Sequence, residues 1–191
     1  TLIILRKIYN QETENKYIDL SSLHKIALCL GSDVPACLKS KDIKLKGYGE
    51  KVTRSKFPEN YFFLLINPNV RLSTRDVFKH YENSFNHEVH KNPLYFGNIK
   101  IHNSLLLSAI SLAPSISPIL NSLKKAQNIV TYGMSGSGST CFGIFENLDD
   151  IVIFLKNFTQ GSDQNYFTWY GQKRDYNLNR VTYSKMLEKK Y

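Results

Sequence analysis

Met134-Ser135-Gly136-Ser137-Gly138-Ser139-Thr140 joins two apolar stretches, 128–132 and 140–145. This pattern predicts a strand, a tight turn and a second strand. Gly136 and Gly138 let the backbone turn sharply and bring its N–H groups close to a ligand. Such a concave run of N–H groups suits phosphate oxygens, but a plain hairpin connection also uses Gly and Ser. On spacing alone, the hairpin connection is the favoured interpretation.

The elements on either side of this stretch predict the fold class. A helix over 147–158 and a strand over 166–170 follow it. Before it come a strand over 61–67 and helices over 73–85, 104–113 and 115–127, with a loop over 83–99. The order is typical of an α+β, ferredoxin-like domain, in which helices cover one face of an antiparallel sheet. Val77, Phe78 and Tyr81 are expected to form the buried face of the helix over 73–85.

The N-terminal part contains a second candidate site. Residues 1–10 fit a helix or a strand. Asp19 can cap a helix whose apolar face would be Leu23, Ile26, Ala27 and Leu30, and Gly31 can end it. Asp33 then lies in a turn before Pro35, where a carboxylate could accept the proton of an attacking hydroxyl. A turn aspartate that bonds its own backbone is the alternative, and it is favoured for Asp33 taken alone.

Composition narrows the classes of protein further. The 191 residues can bury one large core or two small ones, and no apolar run is long enough to span a membrane. The three cysteines fit neither a disulfide framework nor a zinc site, so we expect reduced, buried thiols in a cytoplasmic protein. His87 and His90 are too few for a metal centre, and we assign no metal.

The charge leaves an alternative function open. Formal charge is +9, from 25 basic and 16 acidic residues, with a basic tail over 173–191. A basic ferredoxin-like module that binds RNA or another polyanion is therefore the alternative hypothesis. The chain has no RNP-type motif, and aromatic residues in strands usually belong to the core. We therefore do not expect nucleic acid as the partner.

Taken together, the motifs resemble those of the GHMP kinases, and among them the 4-diphosphocytidyl-2-C-methyl-D-erythritol kinases. Leu30-Gly31-Ser32-Asp33-Val34-Pro35 resembles the Leu-Gly-Ala-Asp-Val-Pro motif of these kinases, and Gly47-Tyr48-Gly49-Glu50 resembles their Gly-x-Gly-Glu segment. The stretch 65–78, with Ser73-Thr74, is similar to their strand-to-helix element. The loop over 134–140 is similar to the third GHMP motif.

The resemblance implies an activity and a set of site residues. Asp33 would be the catalytic base. Thr74 would lie by the substrate, and Ser135, Gly136, Ser137, Gly138 and Ser139 would close over the phosphates. The implied cofactors are ATP and Mg²⁺. The implied substrate is a hydroxyl of a cytidine-diphospho sugar alcohol, CDP-methylerythritol, in non-mevalonate isoprenoid synthesis.

The chain also departs from the family pattern. The Gly-Leu-Gly-Gly-Gly-Ser-Ser loop that grips ATP in these kinases is missing before Thr1, so we expect a truncated or degenerate copy, inactive and not binding ATP alone, or one with a separately encoded N-terminal half. The expected divisions are 1–58 (remnant of the N-terminal domain), 59–172 (ferredoxin-like domain) and 173–191 (basic tail). The family's Asn-Asp-Leu-Glu is replaced by Asn103-Ser104-Leu105-Leu106, and its Pro-Gly-Val by Pro68-Asn69-Val70.

Overall fold

The computed structural model describes residues 2–12, 18–31, 33–39, 42–46, 51–82, 94–159 and 165–172. The chain divides after Phe57 into two compact units. The basic tail over 173–191, the Gly47–Glu50 segment and Ser32 lie outside the described residues. The functional division into a kinase remnant, a ferredoxin-like domain and a tail stays a prediction.

The first unit contains three helices and a hairpin. They are α1 (Leu2–Glu12), α2 (Leu20–Leu30), α3 (Val34–Lys39), β1 (Ile43–Lys46) and β2 (Lys51–Arg54), and the two strands pair antiparallel. Residues 2–10, part of a stretch that fitted either helix or strand, are therefore helical. The side chain of Asn10 on α1 binds the backbone just before α2, since its Oδ1 accepts a hydrogen bond from the Ile18 N–H at 2.9 Å.

Helix α2 begins and ends where the sequence predicts. The Asp19 carboxylate accepts a hydrogen bond from the Ser22 N–H at 2.6 Å, and this bond lowers the pKa of Asp19. At the other end, the Gly31 N–H donates to the Ala27 carbonyl. The predicted apolar face is only half correct, since Leu23 and Ala27 are buried but Ile26 and Leu30 are exposed.

Large apolar side chains are exposed throughout this unit. Five of them are more than 40% exposed: Leu5, Ile8, Leu20, Ile26 and Leu30. Its described buried apolar side chains are few, namely Leu23, Ala27 and Pro35. Helical periodicity places Ile26 and Leu30 on the same stripe as Leu23, but only tertiary contacts decide which members of a stripe are covered.

The second unit contains the sheet that the sequence predicts. Its strands are β3 (Phe62–Asn67), β4 (Leu94–Phe96), β5 (Ile99–Ile101), β6 (Ile129–Met134), β7 (Cys141–Phe145) and β8 (Phe167–Gln172). Its helices are α4 (Thr74–Glu82), α5 (Leu106–Leu112), α6 (Ile116–Lys124) and α7 (Leu148–Thr159). The main sheet has the order β6-β7-β3-β8, and every neighbouring pair is antiparallel. This mixed helix and antiparallel-sheet architecture confirms the α+β fold class.

One apolar core joins the sheet to its four helices. Leu64 and Ile66 on β3, with Cys141 and Phe145 on β7, pack against residues of α4, α5, α6 and α7 in one buried cluster. Fourteen buried side chains form this cluster, and all lie between Leu64 and Phe154. Because the helices share one core with one face of the sheet, the connecting loops are held at the sheet's ends.

Two local predictions for this unit are wrong. Residues 94–99, expected as part of the loop over 83–99, belong to the β4–β5 hairpin, and Phe96 is fully buried in edge-to-face contact with Tyr61. The signal was present, since Gly97-Asn98 between two short apolar runs is a two-residue hairpin turn. Phe78 is 49% exposed, although it was expected on the buried face of α4 with Val77. The rest of the expected loop, 83–93, lies outside the described residues.

The cysteines differ from one another in burial. Cys141 is buried, and burial raises the pKa of its thiol to about 12, so this thiol stays protonated at neutral pH. Cys29 and Cys37 are free but exposed, which corrects the expectation that all three are buried. None of the described helices is long and apolar enough to cross a membrane.

Candidate functional site

The glycine loop between β6 and β7 is a tight, internally bonded turn. The Ser135 N–H donates to the Thr140 carbonyl at 2.9 Å, and the Gly138 N–H donates to the Ser135 carbonyl at 3.0 Å. Gly136 and Gly138 both have positive φ, 55° and 89°, which favours glycine at these two positions. The predicted hairpin connection is therefore present.

The tip of the loop has free donors and open space. Within the described part of the chain, the backbone N–H groups of Gly136 and Ser137 donate no hydrogen bond. A Cβ added to Gly136 would meet nothing within 4 Å. Unbonded N–H groups at an uncrowded loop tip suit an anion, so the residues present fit the oxygens of a phosphate group.

Helix α4 brings a hydroxyl to the same tip. Ser73 Oγ accepts a hydrogen bond from the Asp76 N–H at 3.3 Å, which caps the helix and fixes its first turn. Thr74 Oγ1 then lies 2.9 Å from Ser137 Oγ, although the two residues are 63 positions apart. The structure therefore brings together Thr74 and the predicted glycine loop, and the N-terminal end of α4 adds positive potential there.

Asn103, between β5 and α5, anchors the loop from the other side. Its Nδ2 donates to the carbonyls of Met134 at 2.9 Å and Gly136 at 2.8 Å. Its Oδ1 accepts a hydrogen bond from the Leu105 N–H at 3.0 Å. Sequence reasoning treated this position only as part of an altered motif. A lone asparagine carries no local signal for a contact made 31 and 33 residues away.

The C-terminal half of the loop is fixed to the connection between β3 and α4. Ser139 is buried, and its Oγ donates to the Val70 carbonyl at 2.8 Å. Asn67 Nδ2 donates to Thr140 Oγ1 at 2.8 Å. Among the predicted phosphate-site residues, Ser139 is thus a buried structural contact, whereas Ser135, Gly136 and Ser137 are accessible at the tip.

A shallow depression of about 510 Å³ lies beside Thr140. Its lining is Leu65, Asn67, Asn69, Val70, Arg71, Thr140 and Phe167. Arg71 is the cation among these residues, all of which the structure describes. A guanidinium at this position suits a phosphate oxygen. The sequence analysis did not single out Arg71.

Asp33 lies in the first unit, in the turn between α2 and α3. Its carbonyl accepts a hydrogen bond from the Cys37 N–H at 3.3 Å, so it begins α3 through its backbone. The residue is exposed, and its carboxylate accepts no hydrogen bond from the residues that the structure describes. The carboxylate is therefore exposed to solvent, and its catalytic role stays a prediction.

The described residues contain no cluster of three or more His, Cys, Asp or Glu side chains that could hold a metal ion. Around the loop, they offer hydroxyl, amide and guanidinium groups rather than carboxylates. This set suits phosphate oxygens and does not by itself fit Mg²⁺, which prefers carboxylate and phosphate ligands.

The family comparison matches the part of the chain that contains this loop. Residues 96–160 match the model of the C-terminal domain of GHMP kinases. They form a GHMP kinase C-terminal domain. The match runs from the β4–β5 hairpin to the end of α7 and includes Asn103 and the glycine loop, so the resemblance drawn from the sequence is confirmed.

Curated relatives of this chain are named 4-diphosphocytidyl-2-C-methyl-D-erythritol kinase. The one from Wolbachia pipientis wMel is 36% identical over 68% of this chain and 48% of its own length. The one from Ehrlichia canis (strain Jake) is 37% identical over 69% of this chain and 50% of its own length. The one from Prochlorococcus marinus (strain MIT 9301) is 33% identical over 88% and 60%. The chain spans about half the length of the curated relatives it matches.

Solved structures share the fold of this chain. A crystal structure of 4-(cytidine 5'-diphospho)-2C-methyl-D-erythritol kinase superposes with a TM-score of 0.64, at 21% identity, over 90% of this chain and 62% of its own. The crystal structure of homoserine kinase from Cytophaga hutchinsonii ATCC 33406 has a TM-score of 0.54 at 16% identity. The match covers 87% of this chain and 62% of the homoserine kinase chain. These likenesses confirm the kinase fold. The GHMP kinase family implies the use of ATP, and the relatives are named for small-molecule substrates.

Proposed function

We propose that this chain provides the acceptor base and a phosphate-holding loop of an ATP-dependent small-molecule kinase. Its substrate would be the hydroxyl of a cytidine-diphospho sugar alcohol, the compound that gives the curated relatives their name. The single observation that carries the proposal is the 2.9 Å approach of Thr74 Oγ1 to Ser137 Oγ, at the tip of a loop with two free N–H groups. The setting would be the cytoplasm.

The loop would bind and orient phosphate oxygens. The N–H groups of Gly136 and Ser137 would donate to one oxygen, and whichever hydroxyl accepts within the Thr74–Ser137 pair would donate to another. Arg71, at the adjoining depression, would offset further negative charge. Fixed donors aimed at phosphate charge contribute strongly to phosphoryl transfer, because the donors need no rearrangement during the reaction.

Asp33 would accept the proton of the substrate hydroxyl, the role that its motif implies. An exposed carboxylate without a hydrogen bond from the described residues is free to form one with a hydroxyl. ATP, when bound, supplies the phosphoryl group, and Mg²⁺ would accompany it on the phosphate oxygens. The described residues do not define a Mg²⁺ site, so we assign no step to the metal ion.

A hybrid enzyme tests this proposal. Because the chain matches 48% of the Wolbachia pipientis wMel relative, the part of that relative that it leaves unmatched would be joined to this chain. Turnover would be followed as ADP release with ATP, Mg²⁺ and 4-diphosphocytidyl-2-C-methyl-D-erythritol, with the phosphorylated product identified by mass spectrometry. We expect measurable turnover, and a loss of about 10²- to 10⁴-fold in kcat for Asp33→Asn, typical of a lost general base.

The matched control is Asp149→Asn, which removes an exposed carboxylate at the start of α7. It should keep the kcat of the hybrid. Thr74→Val should raise the KM for ATP or lower kcat, since it removes a hydroxyl and keeps the shape of the side chain. If Asp33→Asn turns over as fast as the hybrid it derives from, or if the hybrid has no kinase activity, the proposal is wrong.

A further inference from the structure

A second concave site lies in the C-terminal domain, away from the loop tip. It is a groove of about 440 Å³ between the β4–β5 hairpin, helices α5 and α6, and the edge strand β6. Its volume falls within the range of about 300–1,000 Å³ that is usual for small-molecule sites. Neither Thr74 nor residues 135–140 line it, so it is distinct from the proposed phosphate site.

The floor of the groove is apolar. The apolar lining consists of Leu94, Ile101, Leu106, Leu107, Ile110, Leu120, Tyr132, Met134 and Phe142. Leu106 and Met134 are buried beneath it, whereas Leu107 is 40% exposed at its side. A concave surface of this kind leaves hydrocarbon in contact with water, and covering it with an apolar ligand group is favourable.

The rim of the groove is cationic. Lys100 on β5 and Lys124 at the end of α6 line it, together with His102. None of its lining residues, all within the described part of the chain, is acidic. Ser117 and Asn121 add neutral hydrogen-bonding groups from α6. A cleft whose charges have a single sign concentrates ligands of the opposite sign.

The groove also contacts the residues that hold the glycine loop. Asn103 and Met134 both line it. Asn103 donates to the Met134 and Gly136 carbonyls, and a Cβ on Gly138 would lie 2.9 Å from Met134 Sδ. A molecule seated in the groove therefore touches the anchor of the loop from behind, without reaching the loop tip.

We propose that this groove is a second ligand site, for a small amphipathic anion. Its hydrocarbon chain would lie on the apolar floor, and its phosphate or carboxylate would face Lys100 and Lys124. Asn103 both lines the groove and bonds the loop, so a ligand bound in the groove changes the conformation of the glycine loop. The site itself rests only on the groove and its lining, so it does not depend on the proposed kinase activity.

Binding is tested on the ¹⁵N-labelled full chain by titration with octyl phosphate, followed in ¹H–¹⁵N spectra. We expect saturable shifts of the Leu107, Tyr132 and Gly133 amides, with smaller shifts at Gly136 and Ser137. Inorganic phosphate should bind at least about 100-fold more weakly, because it buries no hydrocarbon. Octanol should bind about tenfold more weakly, because it lacks the charge.

Lysine variants show where the anion binds. Lys100→Ala and Lys124→Ala should each weaken octyl phosphate binding about three- to tenfold. Lys156→Ala, which removes an exposed lysine of α7 outside the groove, should leave it unchanged. Equal affinity for inorganic phosphate, equal weakening by Lys156→Ala, or no saturable shift at the groove would overturn the site. Groove shifts without any change at Gly136 and Ser137 would overturn the coupling to the loop.

Discussion

Asn69 shows how one residue takes the place of a family glycine without loss of the turn. Its φ is 56°, in the left-handed region that asparagine tolerates better than most residues. Its N–H donates to Asn67 Oδ1 at 2.7 Å, and its Nδ2 donates to the Asn165 carbonyl at 2.7 Å. The side chain therefore ties the β3–α4 connection to Asn165, two residues before β8, which a glycine could not do.

The altered Asn-Asp-Leu-Glu motif, like the Asn69 replacement, is explained by the contacts that the new residues make. Asn103 keeps the contacts that hold the loop, and Leu106, where the family has glutamate, is buried in the core cluster of the domain. A buried glutamate would need a partner for its charge, whereas leucine contributes apolar burial. The departure therefore favours packing of α5 at the cost of an ionisable group.

The two loop glycines should respond differently to substitution. A Cβ on Gly138 would meet Met134 Sδ at 2.9 Å and Leu72 Cδ2 at 3.2 Å, whereas a Cβ on Gly136 meets nothing within 4 Å. Both alanines adopt positive φ, which costs about 1–2 kcal/mol. We expect Gly138→Ala to lower the free energy of unfolding by a further ~1–3 kcal/mol from crowding. Urea denaturation of both variants checks this, and equal losses would contradict it.

At the scale of elements, the loop depends on two neighbours that are distant in sequence. Helix α4 brings Thr74 to Ser137, and the β5–α5 connection brings Asn103 to the Met134 and Gly136 carbonyls. Strands β6 and β7, helix α4 and the β5–α5 connection therefore meet at the loop. Their positions follow from the shared core rather than from the loop's own residues.

Asn103→Asp should loosen the loop in a pH-dependent way. Ionised aspartate cannot donate to the two carbonyls and repels them, which should cost about 1–3 kcal/mol of local stability. Below the pKa of the new carboxyl, its proton can restore one of the two hydrogen bonds. We expect the exchange protection of the Gly138 N–H to fall at neutral pH and to recover in part in acid.

Hydrogen exchange measured by NMR, expressed as protection factors, checks this prediction. Asn157→Asp, a change at an exposed asparagine of α7, is the matched control and should leave Gly138 protected at every pH. Unchanged Gly138 protection in Asn103→Asp at neutral pH would show that the two Asn103 hydrogen bonds do not hold the loop.

At the scale of the whole molecule, the two compact units bury apolar residues to different extents. All fourteen members of the main described core lie in the unit from Pro58 to Lys173. In the first unit, the described buried apolar residues are Leu23, Ala27 and Pro35. A small unit with few buried apolar side chains gains little to offset its conformational entropy.

A fragment of residues 58–173 should therefore fold by itself. We expect dispersed amide resonances and a cooperative thermal transition, because its core cluster is complete without the first unit. A fragment of residues 1–57 should show neither property. Circular dichroism melts and ¹H–¹⁵N spectra of both fragments check this, and a 58–173 fragment without a cooperative transition would contradict it.

Sequence patterns located most elements because their signals are local. The cap at Asp19, the stop at Gly31, the break around Pro114 and the glycine loop each follow from the chemistry of a few adjacent residues. The β4–β5 hairpin was missed although Gly97-Asn98 marks its turn, because its strands are only three residues long. The exposure of Phe78 and Ile26 could not be predicted. Helical periodicity shows which residues share one face of a helix, but not which part of that face other elements cover.

By itself, the sequence determined the family resemblance, the α+β class and the residues at the loop tip, because motif order and hydrophobic period lie along the chain. Only the tertiary structure decided the sheet order β6-β7-β3-β8, the approach of Thr74 to Ser137, and the Asn103 anchor. The Thr74 and Asn103 contacts join residues 31 to 63 positions apart, and the Asn67–Thr140 bond joins residues 73 positions apart. Their geometry is set by how helices and strands pack around one core, which no local pattern specifies.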